Sequence, residues 1–185
     1  MPLNITEFKG ALTGDGARPN LFQVTINNPV RNITDIAPFL VKTAEIPAAT
    51  IGEIQQFYQG RAIKYAGDRT YPDWSVTIVN DENFRIRDAM ERWNNAINGL
   101  RSNARDPAFA LASSYKTSAT VTQLSKTGNP LRTYSFDGIF PKEISSIALD
   151  WSGNDSIEEF TVTFAYDLWE PGQGALGQVT SPLFN

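Results

Sequence analysis

Short runs in which apolar and polar residues alternate, turn-forming clusters between those runs, and one stretch with helical spacing predict a mainly β chain. The expected architecture is a β-sandwich or partly closed barrel with one flanking amphipathic α-helix. At 185 residues the chain fits one domain with a sizeable core. No internal repeat or break in composition divides it, so a β-domain over residues 1–170 and a loosely held tail over 171–185 are expected.

Taken in order, Thr13-Gly14-Asp15-Gly16 reads as a turn, and Ala17-Arg18-Pro19-Asn20 leads into a strand over Leu21–Ile26. Phe22, Val24 and Ile26 share one face of it, with Gln23 and Thr25 on the other. After Asn27-Asn28-Pro29 a second extended run spans Phe39–Ala44 and closes at Ile46-Pro47. Ile51–Ala66, with Gln59-Gly60 near its middle, predicts a long hairpin with mixed polar and aromatic faces. Trp74, Val76 and Ile78 alternate with Ser75 and Thr77. Asn80-Asp81-Glu82 then supplies a cap and first-turn acids for a helix over Asp81–Leu100, whose apolar stripe is Ile86, Met90, Trp93, Ile97 and Leu100.

Residues from Arg101 to Tyr115 lack a period and read as loop with a short helical turn. Strands are expected again over Ser118–Leu124, Leu131–Phe140 and Ile144–Trp151, separated by Thr127-Gly128-Asn129-Pro130 and Pro141-Lys142. Beyond the Ser152–Asp155 turn lies the strongest alternation, in which Phe160, Val162, Phe164, Tyr166 and Leu168 point one way.

Composition prunes the chemistry. The sequence contains no cysteine and no histidine, which removes disulfides, thiolate metal sites, histidine-relayed hydrolysis and histidine zinc centres as usually built. No cofactor is expected. A net charge of −4 argues against a chain that grips nucleic acid, because Lys and Arg dominate that binding. The amino terminus has no basic segment followed by an apolar one, and apolar runs fall far short of the ~20 residues that span a bilayer, so neither export nor membrane insertion is expected. Carboxylate-pair chemistry at Asp68 and Asp73, or at Asp150 and Asp155, stays open. A carbohydrate-binding sandwich using Trp151 and Trp169 also stays open, whereas Trp74 and Trp93 sit on core stripes.

Three stretches carry a resemblance: ARPNLFQV at 17–24, AGDRTYPDWSVTIVNDE at 66–82 and LDWSGNDSIEEFTVTFAYDLWE at 149–170. In content, order and spacing they are similar to the tail tube proteins of contractile-tailed, T4-like bacteriophages. The Asn32–Leu40 region, the Asn98–Tyr115 loop and the segment after Glu170 depart from that pattern. The resemblance implies a non-enzymatic structural subunit, made in the host cytoplasm and built into the virion tail. It further implies hexameric rings stacked into a hollow tube that conducts DNA, a contractile sheath around it, and baseplate and tail-terminator partners. Tube proteins of secretion systems and other injection devices are the near alternative.

Residue by residue, Arg18, Asp68, Arg69 and Asp73 are candidates for the assembly interface, through interfacial or loop-bracing ion pairs. Asp68-Arg69 reads as a salt bridge or turn lock, and Asp73 as an acceptor for backbone N–H groups before the strand at Trp74. The hairpin is expected to pack on a neighbouring subunit, and the polar helix face (Arg85, Arg87, Asp88, Glu91, Arg92, Asn95) to lie outside the wall, toward the sheath.

Overall fold

The computed structural model describes residues 5–12 and 16–172. Two layers share one strand. β7 (Pro130–Ile144) is 15 residues long and runs through both. Its first part pairs antiparallel with β6 (Thr117–Leu124) on one side and β9 (Leu168–Pro171) on the other, and β1 (Phe22–Ile26) extends that sheet beyond β6. Its last part pairs with β8 (Glu159–Ala165), which continues to β5 (Trp74–Val79) and the edge strand β2 (Val41–Ala44). β1 and β2 end the strand order without pairing, so the barrel is only partly closed.

The alternation places the core. Val24, Ile26, Ala119, Val121, Phe136 and Ile139 face inward from one layer, and Trp74, Val76, Ile78, Phe160, Val162 and Phe164 from the other. The indole of Trp74 joins them, stacking on Phe136 and donating its N–H to the Glu45 carbonyl at 2.8 Å. Helix α3 (Arg85–Ile97) closes the core with Ile86, Ala89, Met90, Trp93 and Ala96. It starts later than its sequence signals suggest, because Asp81 Oδ1 accepts from Arg85 N at 2.9 Å while Phe84 takes a left-handed turn. It also ends earlier, leaving Leu100 exposed.

Several expectations change. The run Phe39–Ala44 is strand only from Val41; Ala37–Leu40 forms a helical turn, α2, with Pro38 in its first turn, where a missing N–H costs nothing. Pro141-Lys142 is no turn but part of β7, accommodated by an irregularity between Pro141 and Glu143 where the ladder needs no proline donor. No strand follows Ile144, because the Ser145 hydroxyl accepts from Thr161 N at 2.9 Å and ends the ladder. The alternation of Phe160–Leu168 covers two strands: β8 stops at Ala165, Asp167 N donates to the Asp137 carbonyl, and Leu168 begins β9 in the other layer. Between Arg101 and Tyr115 lie a 3-10 turn at Pro107–Phe109 and the helical turn α4 (Ala112–Tyr115). A short helix, α1 (Ile5–Ala11), precedes the fold and carries no signal noted in the sequence. Most of the expected turn at 13–16, and the tail beyond residue 172, fall outside the described residues. Among the described residues no helix is long and apolar enough to cross a membrane.

Candidate assembly surface

β3 (Thr50–Tyr58) and β4 (Arg61–Thr70) form a separate two-stranded sheet that pairs with none of the other strands. Its turn is Gln59-Gly60, both with positive φ, the conformation a tight hairpin turn requires. Every residue of β3 is exposed, as is every residue of β4 except Gly67.

Cross-strand register sorts the two faces. Ile54 pairs with Tyr65, Gln56 with Ile63 and Tyr58 with Arg61, which puts four large apolar side chains on one face. Glu53 pairs with Ala66, Gln55 with Lys64 and Phe57 with Ala62 on the other. There Lys64 Nζ lies 3.0 Å from Glu53 Oε2, and Gln55 donates to Glu53 at 2.6 Å. One face is mainly apolar, with Gln56 and Arg61 among its residues, and the other mainly polar, with Phe57 exposed on it. A lone two-stranded hairpin is marginal in water, and four exposed apolar side chains on one face mark a surface that another element covers.

The four candidate charges separate. Asp68 and Arg69 lie within β4, not at a turn, beside the irregularity opposite Gly52. Along with Arg18, they make no ion pair among the described residues. Arg18 serves instead through its carbonyl, which accepts from Gln123 Nε2 at 2.6 Å. Asp73 does not hold backbone N–H groups; its Oδ2 receives Lys142 Nζ at 2.6 Å, bracing the start of β5 against β7. That carboxylate raises the Lys142 ammonium above its ordinary pKa.

The helix back is a network, with Asp88 bonded to Arg92 at 2.9 Å and to Arg31. Those guanidiniums, Arg92 foremost, hold the Asp88 carboxyl below the usual aspartate range. Arg87 differs from its neighbours: its guanidinium sits over the Phe160 ring, 5.2 Å from the centroid, and donates to the Ser145 carbonyl at 3.1 Å and to Glu91 at 2.8 Å. It belongs to the subunit's own packing.

At the far end of β7, residues 145–158 form the connection to β8, and Trp151 stands fully exposed on it between exposed Leu149 and Ile157. Asp150 Oδ1 accepts from Ser152 N at 2.9 Å and from its hydroxyl at 2.8 Å, and Gly153 N donates to the Asp150 carbonyl at 3.0 Å. The Ser152 bonds pull the Asp150 pKa down. Of the four aspartates raised for carboxylate-pair chemistry, Asp73 is therefore occupied as a brace and Asp150 as a turn former. Among the described residues no three His, Cys, Asp or Glu side chains converge as a metal site would need.

Residues 17–171 match the sequence pattern of the family described as phage tail tube protein. The chain belongs to that family. It is 35% identical over 159 residues to Tail tube protein gp19 of Enterobacteria phage T4, covering 85% of this chain and 93% of that one. It is 29% identical to the tail tube protein of Serratia phage KSP90 over 169 residues, with 88% and 93% covered. The fold of this tail tube protein is also found in the tube-terminating cap of the anti-feeding prophage, with a TM-score of 0.63 at 18% identity over 86% of this chain and 91% of that one. A PVC sheath-tube complex of an extracellular contractile injection system gives 0.56 at 16% identity, over 90% and 97%. The protein is thus a phage structural protein of the contractile-tail type, as the three stretches at 17–24, 66–82 and 149–170 imply.

Proposed function

We propose that copies of this chain close into hexameric rings, that the rings stack into a hollow tube, and that the tube conducts DNA from the virion into the host inside a contractile sheath. The subunit is made in the host cytoplasm and ends in the virion tail, where a baseplate starts the tube and a terminator stops it. The hairpin carries this reading. Among the described residues nothing covers its apolar face, and both its strands have unpaired edges, as do β1 and β2. A ring removes such edges by supplying each from the next copy. In the wall, the hairpin's apolar face lies on a neighbour and its Glu53, Gln55 and Lys64 face turns to water.

A conduit needs a surface that phosphate does not stick to. The outward face of the β1–β6–β7 sheet fits that need: Gln23, Thr122 and Thr133 form one row, and Thr25, Thr120 and Ser135 the next. These are neutral groups, and in the second row the only charge is Glu170 on β9. Arg18, Asp68 and Arg69, which make no ion pair among the described residues, serve assembly contacts in this reading, while Asp73 braces the subunit. Arg85 and Arg92 on the helix back face the sheath. The likeness to injection-device tubes supports the same architecture with a different cargo, and the phage relatives favour DNA.

The test reverses Arg69 to Glu and separately changes Ile54 to Asp, with particles viewed by electron microscopy. Loss of rings and tubes with a folded subunit is expected. Normal tubes from both variants would refute the hairpin contact.

A further inference from the structure

The two ends of β7 differ in shape. Where it begins, the turn joining β6 to β7 and the segment entering β1 enclose a cavity of about 140 Å³, lined by Ala17, Arg18, Leu21, Leu124 and Leu131 among others. An apolar cavity of similar size, roughly 150 Å³, accepts a benzene ring, so the six-membered half of an indole fits inside and its pyrrole half lies at the mouth. Where β7 ends, Trp151 projects from the 145–158 connection with its whole side chain in solvent. Fifteen residues of extended chain separate the two ends, roughly 45 Å along the strand.

We propose that the Trp151 indole of one copy seats in this cavity of a second copy, and that this knob and hole form a head-to-tail contact between subunits along the tube. The occupant is a second copy because one chain carries both halves at opposite ends of one strand, the arrangement that repeats without closing on itself. The loop is also ready for the contact: the Asp150–Ser152 bonds and the Gly153 N–H fix the turn that presents the ring, so little ordering is left to binding. A large rigid aromatic in an apolar pocket is the usual form of an interface anchor. The cation of Arg18 at the cavity rim adds a stacking partner for the indole face. The direction of this contact rests on the proposed stacking of rings.

The natural sequence has no cysteine, so engineered thiols report one contact at a time. Two full-length variants are mixed at high concentration and oxidised: Leu149→Cys, on the Trp151 loop, and Lys126→Cys, at the cavity rim. The expected result is a disulfide-linked heterodimer in several-fold excess over either homodimer, an excess lost when Trp151→Ala is added to the first variant and retained with Trp151→Phe. A statistical mixture unaffected by Trp151→Ala would overturn the contact. Electron microscopy of the same samples separates the two ideas: rings with statistical cross-linking sink the knob and hole alone, whereas specific cross-links in ringless chains uphold it and sink the ring. As a second measurement, acrylamide quenching of tryptophan emission is expected to fall further on association in the natural chain than in Trp151→Phe, where Trp74 and Trp93 are already buried and the half-buried Trp169 alone remains to respond.

Discussion

Trp74 on β5 and Phe136 on β7 stack with ring centroids 4.4 Å apart, one ring from each layer of the sandwich. Because Phe164 lies 5.6 Å from Trp74 and Tyr166 meets Phe136 edge to face, the pair sits at the centre of an aromatic cluster. Replacing Trp74 by Ala removes the stack and leaves the Glu45 carbonyl without its donor. A loss of about 3–5 kcal/mol is expected in chemical denaturation of the subunit.

Arg87 and Arg92 sit on the same helix but predict opposite outcomes. Arg87 covers Phe160 and bonds Ser145, so Arg87→Ala is expected to lower subunit stability by about 1–2 kcal/mol. Arg92 is itself exposed and holds only the half-buried Asp88, and Arg92→Ala should stay within about 0.5 kcal/mol. If the helix back meets the sheath, Arg92→Glu should impair sheath assembly while leaving the tube intact, a difference readable by electron microscopy.

Gly138 has φ +69°, and a Cβ there would run into the Asp167 carboxylate. That carboxylate is fixed by Lys116 Nζ at 2.7 Å. Gly138→Ala is therefore expected to cost about 1–3 kcal/mol, measured by thermal or denaturant unfolding. Asp167→Ala in the same background should recover part of the loss by removing the clash.

Asp150 predicts a pH dependence. Its pKa is lowered in the folded chain by the Ser152 bonds, so the turn's contribution is fully present above the unfolded value, roughly 3.9, and is lost as pH falls through the lower folded value. NMR titration of the Asp150 carboxyl should show the depressed midpoint in the natural chain. The Ser152→Ala variant should move that midpoint upward; an unchanged midpoint would contradict the turn geometry.

Much of this fold is legible in the sequence. Phe22-Val24-Ile26, Trp74-Val76-Ile78 and Phe160-Val162-Phe164 alternate because one side of each strand is core, and all but the partly buried Phe22 are buried. The hairpin was legible from Gln59-Gly60, but its two faces were not, because the irregularity near Gly67 and the pairing of Ile54 with Tyr65 depend on register. Alternation also carries no record of partners, so the switch from β8 to β9 at Asp167 was hidden. Pro141 misled for a local reason: proline usually ends a strand, and here a bulge absorbs it. Lys142 as the partner of Asp73 was out of reach, since 69 residues separate them.

The most direct test of self-assembly is a cryo-electron microscopy reconstruction of the tube in assembled tails. The account predicts hexameric rings in which Ile54, Tyr58, Ile63 and Tyr65 are buried against a neighbouring copy and the Thr25–Thr120–Ser135 row faces the lumen. A tube built without this chain, or rings that leave the hairpin's apolar face in solvent, would contradict it.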